Sequence, residues 1–489
     1  MGDLGDVGVQ LKRIFENPVA RVLLKHFSER KRLEPALDIV VGIRKPRNLS
    51  EWFNAKVVDF AVSQGVKAFG GTREDFIDTF KDPYYRRGLV TTVRSIAEYG
   101  VTKPQRLVAP FLVVWNITKR CNLRCKHCYA DATPQGAPDE LTTEEKKQVI
   151  DQLDEAGVVT IAFSGGEPLM APDIFEIFKY TADKGMYVNV ATNGTLITPE
   201  VARKMKEAGV GYVEVSIDSP DPKEHDKFRG VQGAWRRSIQ GIKNARDAGL
   251  YTGIAYTVTK KNLHRVPEMI KLARDLKVCA IMFFNFVPVG RGKEIQALDL
   301  GPKGREELMK YLYSELEKGG LSVFSTSPTY ARISVEKVLS KQGKHVSLAH
   351  FGDLPLSEEY ADKAIALADF VGGCGAGRAY CAIEHNGDIY PCVFLPIKVG
   401  NALKDGFVNV WKNNELFNAL RDRDSSEHFA NRCPFRYVCG GCRARAYAYT
   451  GDPLGPDPGC VVADKLMIGT KYEKDRYDLE DDPISFLGS

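Results

Sequence analysis

From about residue 106 the chain alternates between short apolar runs and longer segments of helical period. Six runs rich in apolar and β-branched residues read as strands: FLVVWNIT (111–118), VVTIAFSG (158–165), YVNVATNG (187–194), YVEVSID (212–218), YTGIAYTV (251–258) and AIMFFNFVP (280–288). Segments between them, such as TTEEKKQVIDQLDEAG and TPEVARKMKEAG, have helical spacing, with Thr caps and acidic residues at the start and Gly at the end. Alternating strands and helices predict parallel pairing through right-handed crossovers. Nearly continuous apolar strands fit a sheet covered on one face and filled on the other. The predicted fold is α/β, a partial (β/α)6 TIM-like barrel with its active site at the C-terminal strand ends.

The pattern changes on both sides of that core, which spans 106–302. Residues 1–105 read as a helical N-terminal extension, 303–370 as a helical linker, 371–465 as a small irregular Cys-rich domain and 466–489 as a tail. In NPVARVLLKHFSERKR (17–32), Asn17 caps a helix with Pro18 at its first position. Val19, Val22, Leu23 and Phe27 share one face, and Arg21, Lys25, Arg30, Lys31 and Arg32 supply positive charge. Such a helix packs on a barrel, or makes peripheral contact with an anionic membrane. DPYYRRGLV (82–90) either lines a pocket for a carboxylate-bearing substrate or links domains.

Composition narrows the class. A formal charge of +5 on 489 residues is too weak to argue for nucleic acid. No apolar run approaches the ~18 residues of a spanning helix. MGDLGDVGVQ is neither cationic nor apolar, so no secretion signal is read and a cytoplasmic location is expected. Of the eleven cysteines, three lie in CNLRCKHCYA (121–130), Cys279 stands alone, and seven lie between Cys374 and Cys460. Two dense groups in a long chain without a signal favour metal binding in a reducing compartment over disulfides. Cys279, beside AIMFF, reads as a buried apolar thiol.

Cys121, Cys125 and Cys128 follow the first predicted strand, at the end where a barrel places chemistry. Three thiolates on one loop can hold three corners of a 4Fe-4S cube and leave the fourth iron open. Zinc completed by His127 is the alternative, although that histidine sits inside the turn. Later strand ends carry SGGEP (164–168), TNG (192–194), SIDS (216–219), HDKFRG (225–230) and VPVGRG (287–292). Gly165 and Gly166 allow close backbone approach, and Glu167 can accept from an ammonium group. Ser216 and Asp218 suit ribose hydroxyls, Arg229 a carboxylate, and backbone amides around Val289 an adenine edge. Ammonium, carboxylate, ribose and adenine together describe S-adenosylmethionine.

The CxxxCxxC loop, GGEP and the strand-four and strand-six motifs resemble the radical S-adenosylmethionine superfamily over about residues 110–292. The resemblance implies that Cys121, Cys125 and Cys128 hold a 4Fe-4S cluster whose open iron binds the methionine amino and carboxylate groups. One electron then splits the sulfonium C–S bond, giving methionine and a 5′-deoxyadenosyl radical that takes hydrogen from substrate. By the same resemblance Gly165, Gly166 and Glu167 meet the methionine amine, Ser216 and Arg229 meet ribose and carboxylate, and Tyr129 lies near adenine. Asn193, Asp218 and Val289 complete the implied cofactor contacts, and reduced ferredoxin or flavodoxin is the implied electron donor.

GCGAGRAYCAIEHNGDIYPC (373–392) and CPFRYVCGGCRARA (433–446), with Cys460 beyond, resemble the SPASM extension that carries auxiliary 4Fe-4S clusters. The fuller pattern has a cysteine three places before Cys433, where this chain has Ala430. Interleaved ligation as in that family implies Cys374, Cys381, Cys392 and Cys442 for one cluster. Cys433, Cys439 and Cys460 then hold a second, whose fourth ligand is non-cysteine or open. One cluster with spare thiols, or zinc in a ribbon-like fold, are the alternatives.

Reaction class is better specified than substrate. CGGCRARA is similar to the segment in radical enzymes that trim porphyrin side chains in alternative heme synthesis, and N-terminal arginines would suit propionates. A peptide or protein maturase is the second reading, although no N-terminal winged helix is evident in the sequence. A membrane-lipid-modifying enzyme is the third, resting on the basic amphipathic helix alone.

Overall fold

The first apolar run forms β1 (Leu112–Thr118), with buried residues on both faces. The computed structural model describes residues 25–68, 72–347, 353–355 and 361–476. β2 (Thr160–Gly165), β3 (Tyr187–Thr192), β4 (Val210–Ser216), β5 (Tyr251–Val258), β6 (Ala280–Asn285) and β7 (Ser322–Ser325) follow, each parallel to its predecessor. Helices fill the crossovers. Thr142 caps helix Thr143–Ala156 through a reciprocal bond pattern with Glu145, and Thr198 caps Pro199–Glu207.

Strand alternation sorts side chains between two environments. Trp115, Phe163, Val190, Val215, Tyr256 and Phe283 belong to the main apolar core. Val114, Ala162, Ala191, Glu214, Ala280 and Phe324 point the other way and line a central cavity.

Four strands of this sheet come from segments expected to be helical or irregular. β7 is only four residues, SVFS, inside 303–370, too short and too polar to stand out by period. β8 (His345–Ser347) and β9 (Asp353–Pro355) form a separate antiparallel pair. In the Cys-rich segment β10 (Tyr380–Ile383) lies parallel to β1, and β11 (Asp388–Tyr390) and β12 (Gly400–Asn401) continue antiparallel. The order β12-β11-β10-β1-β2-β3-β4-β5-β6-β7 has no closing pair, so the barrel is partial.

The N-terminal helices dock on the C-terminal end of helix Thr143–Ala156, where carbonyls lack intrahelical partners. Arg30 pairs with Asp154 at 2.9 Å, Arg87 pairs with the same carboxylate at 2.8 Å, and Arg94 reaches the Ala156 carbonyl at 3.1 Å. Arginines at that end also complement the helix dipole. Most of the proposed membrane helix (17–32) lies outside the described residues. In the described part, the chain is helical over 25–28 and restarts at Arg30 after an extended Glu29, and Arg30 is bound to the barrel. No described helix is long and apolar enough to cross a membrane.

A buried ionic quartet joins the barrel to the Cys-rich segment. Asp299 accepts from Arg305 at 2.8 Å and from Arg445, while Arg445 Nε reaches Asp457 at 3.0 Å.

Candidate active site

The cavity inside the barrel has a volume of about 670 Å³, within the range typical of small-molecule sites. Cys121, Cys125 and Cys128 line it on the loop after β1, and Cys374, Cys392 and Cys442 line it from the Cys-rich segment. Two distant stretches of sequence thus present cysteine trios to one space.

The first loop is clamped by backbone bonds. Cys121 N donates to Thr133 O at 2.9 Å, and Arg124 N donates to Arg229 O at 3.0 Å. Arg291 was passed over in the sequence, yet its Nε donates to Cys125 O at 3.0 Å and its Nη1 to Ala132 O at 3.0 Å. Its backbone N–H also reaches Cys128 O at 3.0 Å. The signal was available in GRG: Gly290 comes so close that an added Cβ would lie 2.5 Å from Cys128 O.

The donor set fits iron–sulfur clusters. Cys121, Cys392 and Cys439, from different regions, each accept an N–H from two residues on at 3.4 Å, an arrangement that favours thiolate charge. Arg229 Nη1 lies 3.7 Å from Cys125 Sγ, and the Arg332 charge acts on Cys433, Cys439 and Cys460. Burial pushes the Cys121 thiol up to about 12 and raises Cys125, so metal must displace protons to bind. Among the described residues no three His, Cys, Asp or Glu groups converge on a point that would chelate one ion.

Of the expected cofactor contacts, Tyr129, Gly165, Gly166, Asn193, Ser216 and Arg229 line the cavity. The other three differ. Glu167 is fully buried and accepts from Thr192 Oγ1 at 2.7 Å, Asn193 N at 2.8 Å and Leu169 N at 3.2 Å. These bonds tie the β2 and β3 ends together. Asp218 is buried beneath Arg229, accepting from its Nε at 2.6 Å and from Thr257 N at 3.1 Å, and so orients Arg229. Val289 spends its N–H on Val287 O at 2.9 Å and packs with Leu395 and Ala444. Gly166 also has a different reason from the expected one. An added Cβ there would overlap the Arg120 carbonyl, so the missing side chain admits the cysteine loop itself.

Cys381 departs from the expected ligand set. Tyr380 pairs with Leu112 and Cys381 with Val113; Tyr380 and Leu112 line the cavity, while Cys381 and Val113 belong to the apolar core. Strand alternation therefore turns Cys381 away from Cys374, Cys392 and Cys442. Cys279 is exposed instead of buried, lines the cavity and donates to Thr252 O at 3.1 Å. His127, placed inside the turn, lines the cavity too. It stacks on Phe228 at 4.5 Å, its buried Nδ1 has no hydrogen-bond partner, and burial lowers it to about 4.

Among the described residues, the two arginines of DPYYRRGLV, candidates to meet propionates, are engaged elsewhere. Arg87 binds Asp154 and the Val158 carbonyl, and Arg86 binds Asp38 at 3.1 Å. Tyr84 and Tyr85 of that segment do reach the cavity.

A three-cysteine loop at the strand ends of a partial barrel, facing a second cysteine group across a cavity, defines a radical enzyme with auxiliary clusters. The Radical SAM superfamily model matches residues 115–273, and the SPASM model, an iron-sulfur cluster-binding domain, matches 374–443. The chain belongs to the radical S-adenosylmethionine superfamily and carries a SPASM domain. An AdoMet-dependent heme synthase from Methanosarcina barkeri is 37% identical over 354 residues, covering 72% of this chain and 97% of that protein. Mycofactocin maturase MftC from Mycobacterium tuberculosis is 32% identical over 362 residues, covering 73% and 84%. The structure of Streptococcus suis SuiB bound to S-adenosylmethionine matches in fold with TM-score 0.58 at 17% identity, covering 83% of this chain and 88% of that one. The protein is thus an enzyme that reductively cleaves S-adenosylmethionine at a 4Fe-4S cluster and uses the resulting radical on a substrate, with auxiliary iron–sulfur clusters.

Proposed function

We propose that the substrate is an iron-porphyrin and the reaction is oxidative trimming of a propionate side chain, as in heme synthesis. Loss of a hydrogen atom and CO2 from a propionate leaves a vinyl group and one electron. The observation that supports the reading is the shared cavity, lined by Cys121, Cys125 and Cys128 and also by Cys374, Cys392 and Cys442, so that a substrate there would meet both cysteine groups. The first trio would hold the S-adenosylmethionine-binding cluster and the second an auxiliary cluster, with Cys433, Cys439 and Cys460 at a further one. When bound, these clusters supply one-electron transfer. Tyr129, Asn193, Ser216 and Arg229 would orient the cofactor, with Asp218 holding Arg229 in place. Reduced ferredoxin or flavodoxin is the proposed electron donor.

The similarity to the heme synthase supports this reading, and the cavity walls are largely apolar, as a macrocycle requires. A peptide substrate is the second reading, favoured by the MftC similarity. The described residues before β1 are helices and connections, without the strands of a winged-helix peptide reader.

The test is anaerobic. Reconstituted enzyme is assayed for iron and for dithionite-driven 5′-deoxyadenosine formation with and without Fe-coproporphyrin. About twelve irons per chain and stimulation by porphyrin are expected. No stimulation, and no vinyl product by mass spectrometry, would overturn the porphyrin reading and turn the search to peptides and lipids.

A further inference from the structure

Glu214 is the one acidic side chain among the described residues lining the cavity. Register places it in a layer of small residues. Ala191 and Gly253 flank it, Gly253 pairs with Ala280, and Ala280 pairs with Ser322. The Tyr212 hydroxyl lies over Gly253, where an added Cβ would be 1.9 Å from it, and Glu214 itself lines the cavity beside it. Glu214 makes no hydrogen bond or ion pair among the described residues, and burial alone pushes it up to about 7. Glu167 is the contrast: it is equally an acid in the barrel, but three donors satisfy it. A half-buried carboxyl group on a cavity wall with no protein partner calls for an explanation, and a ligand is the natural one.

Cavity arginines do not serve the same purpose. Arg229 is committed to Asp218 and Cys125, and Arg291 to the Cys125 and Ala132 carbonyls. We propose that Glu214 is the recognition residue for a substrate carboxylate, donating a hydrogen bond to it as a neutral acid. This rests on the porphyrin reading, where the carboxylate is a propionate. An ionised Glu214 repels that anion, so recognition weakens as pH rises. The groups whose charge meets Glu214 are Tyr212 on the same strand and Cys279 at the start of β6. Burial raises both above their ordinary values. Glu214 is therefore the member of this set that changes charge near neutrality.

The experiment titrates reconstituted enzyme with Fe-coproporphyrin, reading the porphyrin absorption band. Between about pH 6 and about pH 8.5, wild-type affinity is expected to fall about 30-fold as the protonated fraction of a group titrating near 7 is lost. Glu214→Gln, which keeps a donor but cannot ionise, should bind with little pH dependence and more tightly than wild type at the higher pH. Glu214→Leu should bind weakly at both. The porphyrin tetramethyl ester, without carboxylates, should show no Glu214-dependent pH effect. Unchanged iron content confirms that the variants fold. Wild-type binding that ignores pH, or a Gln variant that keeps the wild-type dependence, overturns the role of Glu214. Wild type that binds no porphyrin at all overturns the porphyrin reading and this assignment with it, so the two failures are distinguishable.

Discussion

Asp299→Asn changes one oxygen for one nitrogen at a site where no water can compensate. Asp299, Arg305, Arg445 and Asp457 are exposed by 0%, 2%, 0% and 2%. Two anions face two cations, so the set is electrically balanced. Asn leaves one positive charge uncompensated and turns an amide donor toward guanidinium N–H groups. Breaking a buried pair by removing one partner costs about 3–5 kcal/mol, despite the near-identical shape. At ~2.1 cal/mol/K per residue, unfolding entropy for 489 residues is about 1 kcal/mol/K. The melting temperature should therefore fall by about 3–5 °C, as followed by circular dichroism on reconstituted enzyme. Burial would raise the Asp299 carboxyl, but Arg445 and Arg305 outweigh it and hold the group below its ordinary value. Its contribution is then present above the unfolded-state pKa and lost as pH falls through the folded one. Wild type and variant should converge in acid. A melting temperature within about 1 °C of wild type near neutral pH would refute the idea that this quartet fastens the Cys-rich segment to the barrel. Asp275→Asn is the control, because its pair with Lys271 is 59% and 75% exposed and should matter little.

Gly166→Ala should displace the cysteine loop, because the obstructing atom is the Arg120 carbonyl and not a movable side chain; iron analysis should show loss of about four irons per chain, and a full complement would refute the packing argument. Cys381→Ser should keep the iron content and electron paramagnetic resonance spectrum of wild type, whereas Cys392→Ser should alter both. Matching losses in the two would return Cys381 to the ligand set. Asp218→Asn leaves Arg229 without its charged partner, so S-adenosylmethionine affinity should fall about tenfold or more, measured by equilibrium binding to reconstituted enzyme; unchanged affinity would refute the orienting role.

Local patterns determined much of this protein without reference to the rest of the chain. Thr142 and Thr198 cap the helices they announce, and six apolar runs form β1 through β6. The spacing of Cys121, Cys125 and Cys128 announces a metal centre, and the motifs at the later strand ends point it to an iron–sulfur cluster. Such features depend on backbone period and on neighbours a few residues away, so a linear reading reaches them. What the tertiary structure decided is which side chains meet. β10 enters the sheet beside β1 across more than 250 residues, and that pairing turns Cys381 into the apolar core while Tyr380 faces the cavity. Glu167 and Asp218 sit in motifs that suggest ligand contact, yet distant donors claim both carboxylates. Glu214 reads as an ordinary polar residue in a strand until the barrel sets it on the cavity wall. Burial and register set the energies of these groups, and both are properties of strands brought together from afar.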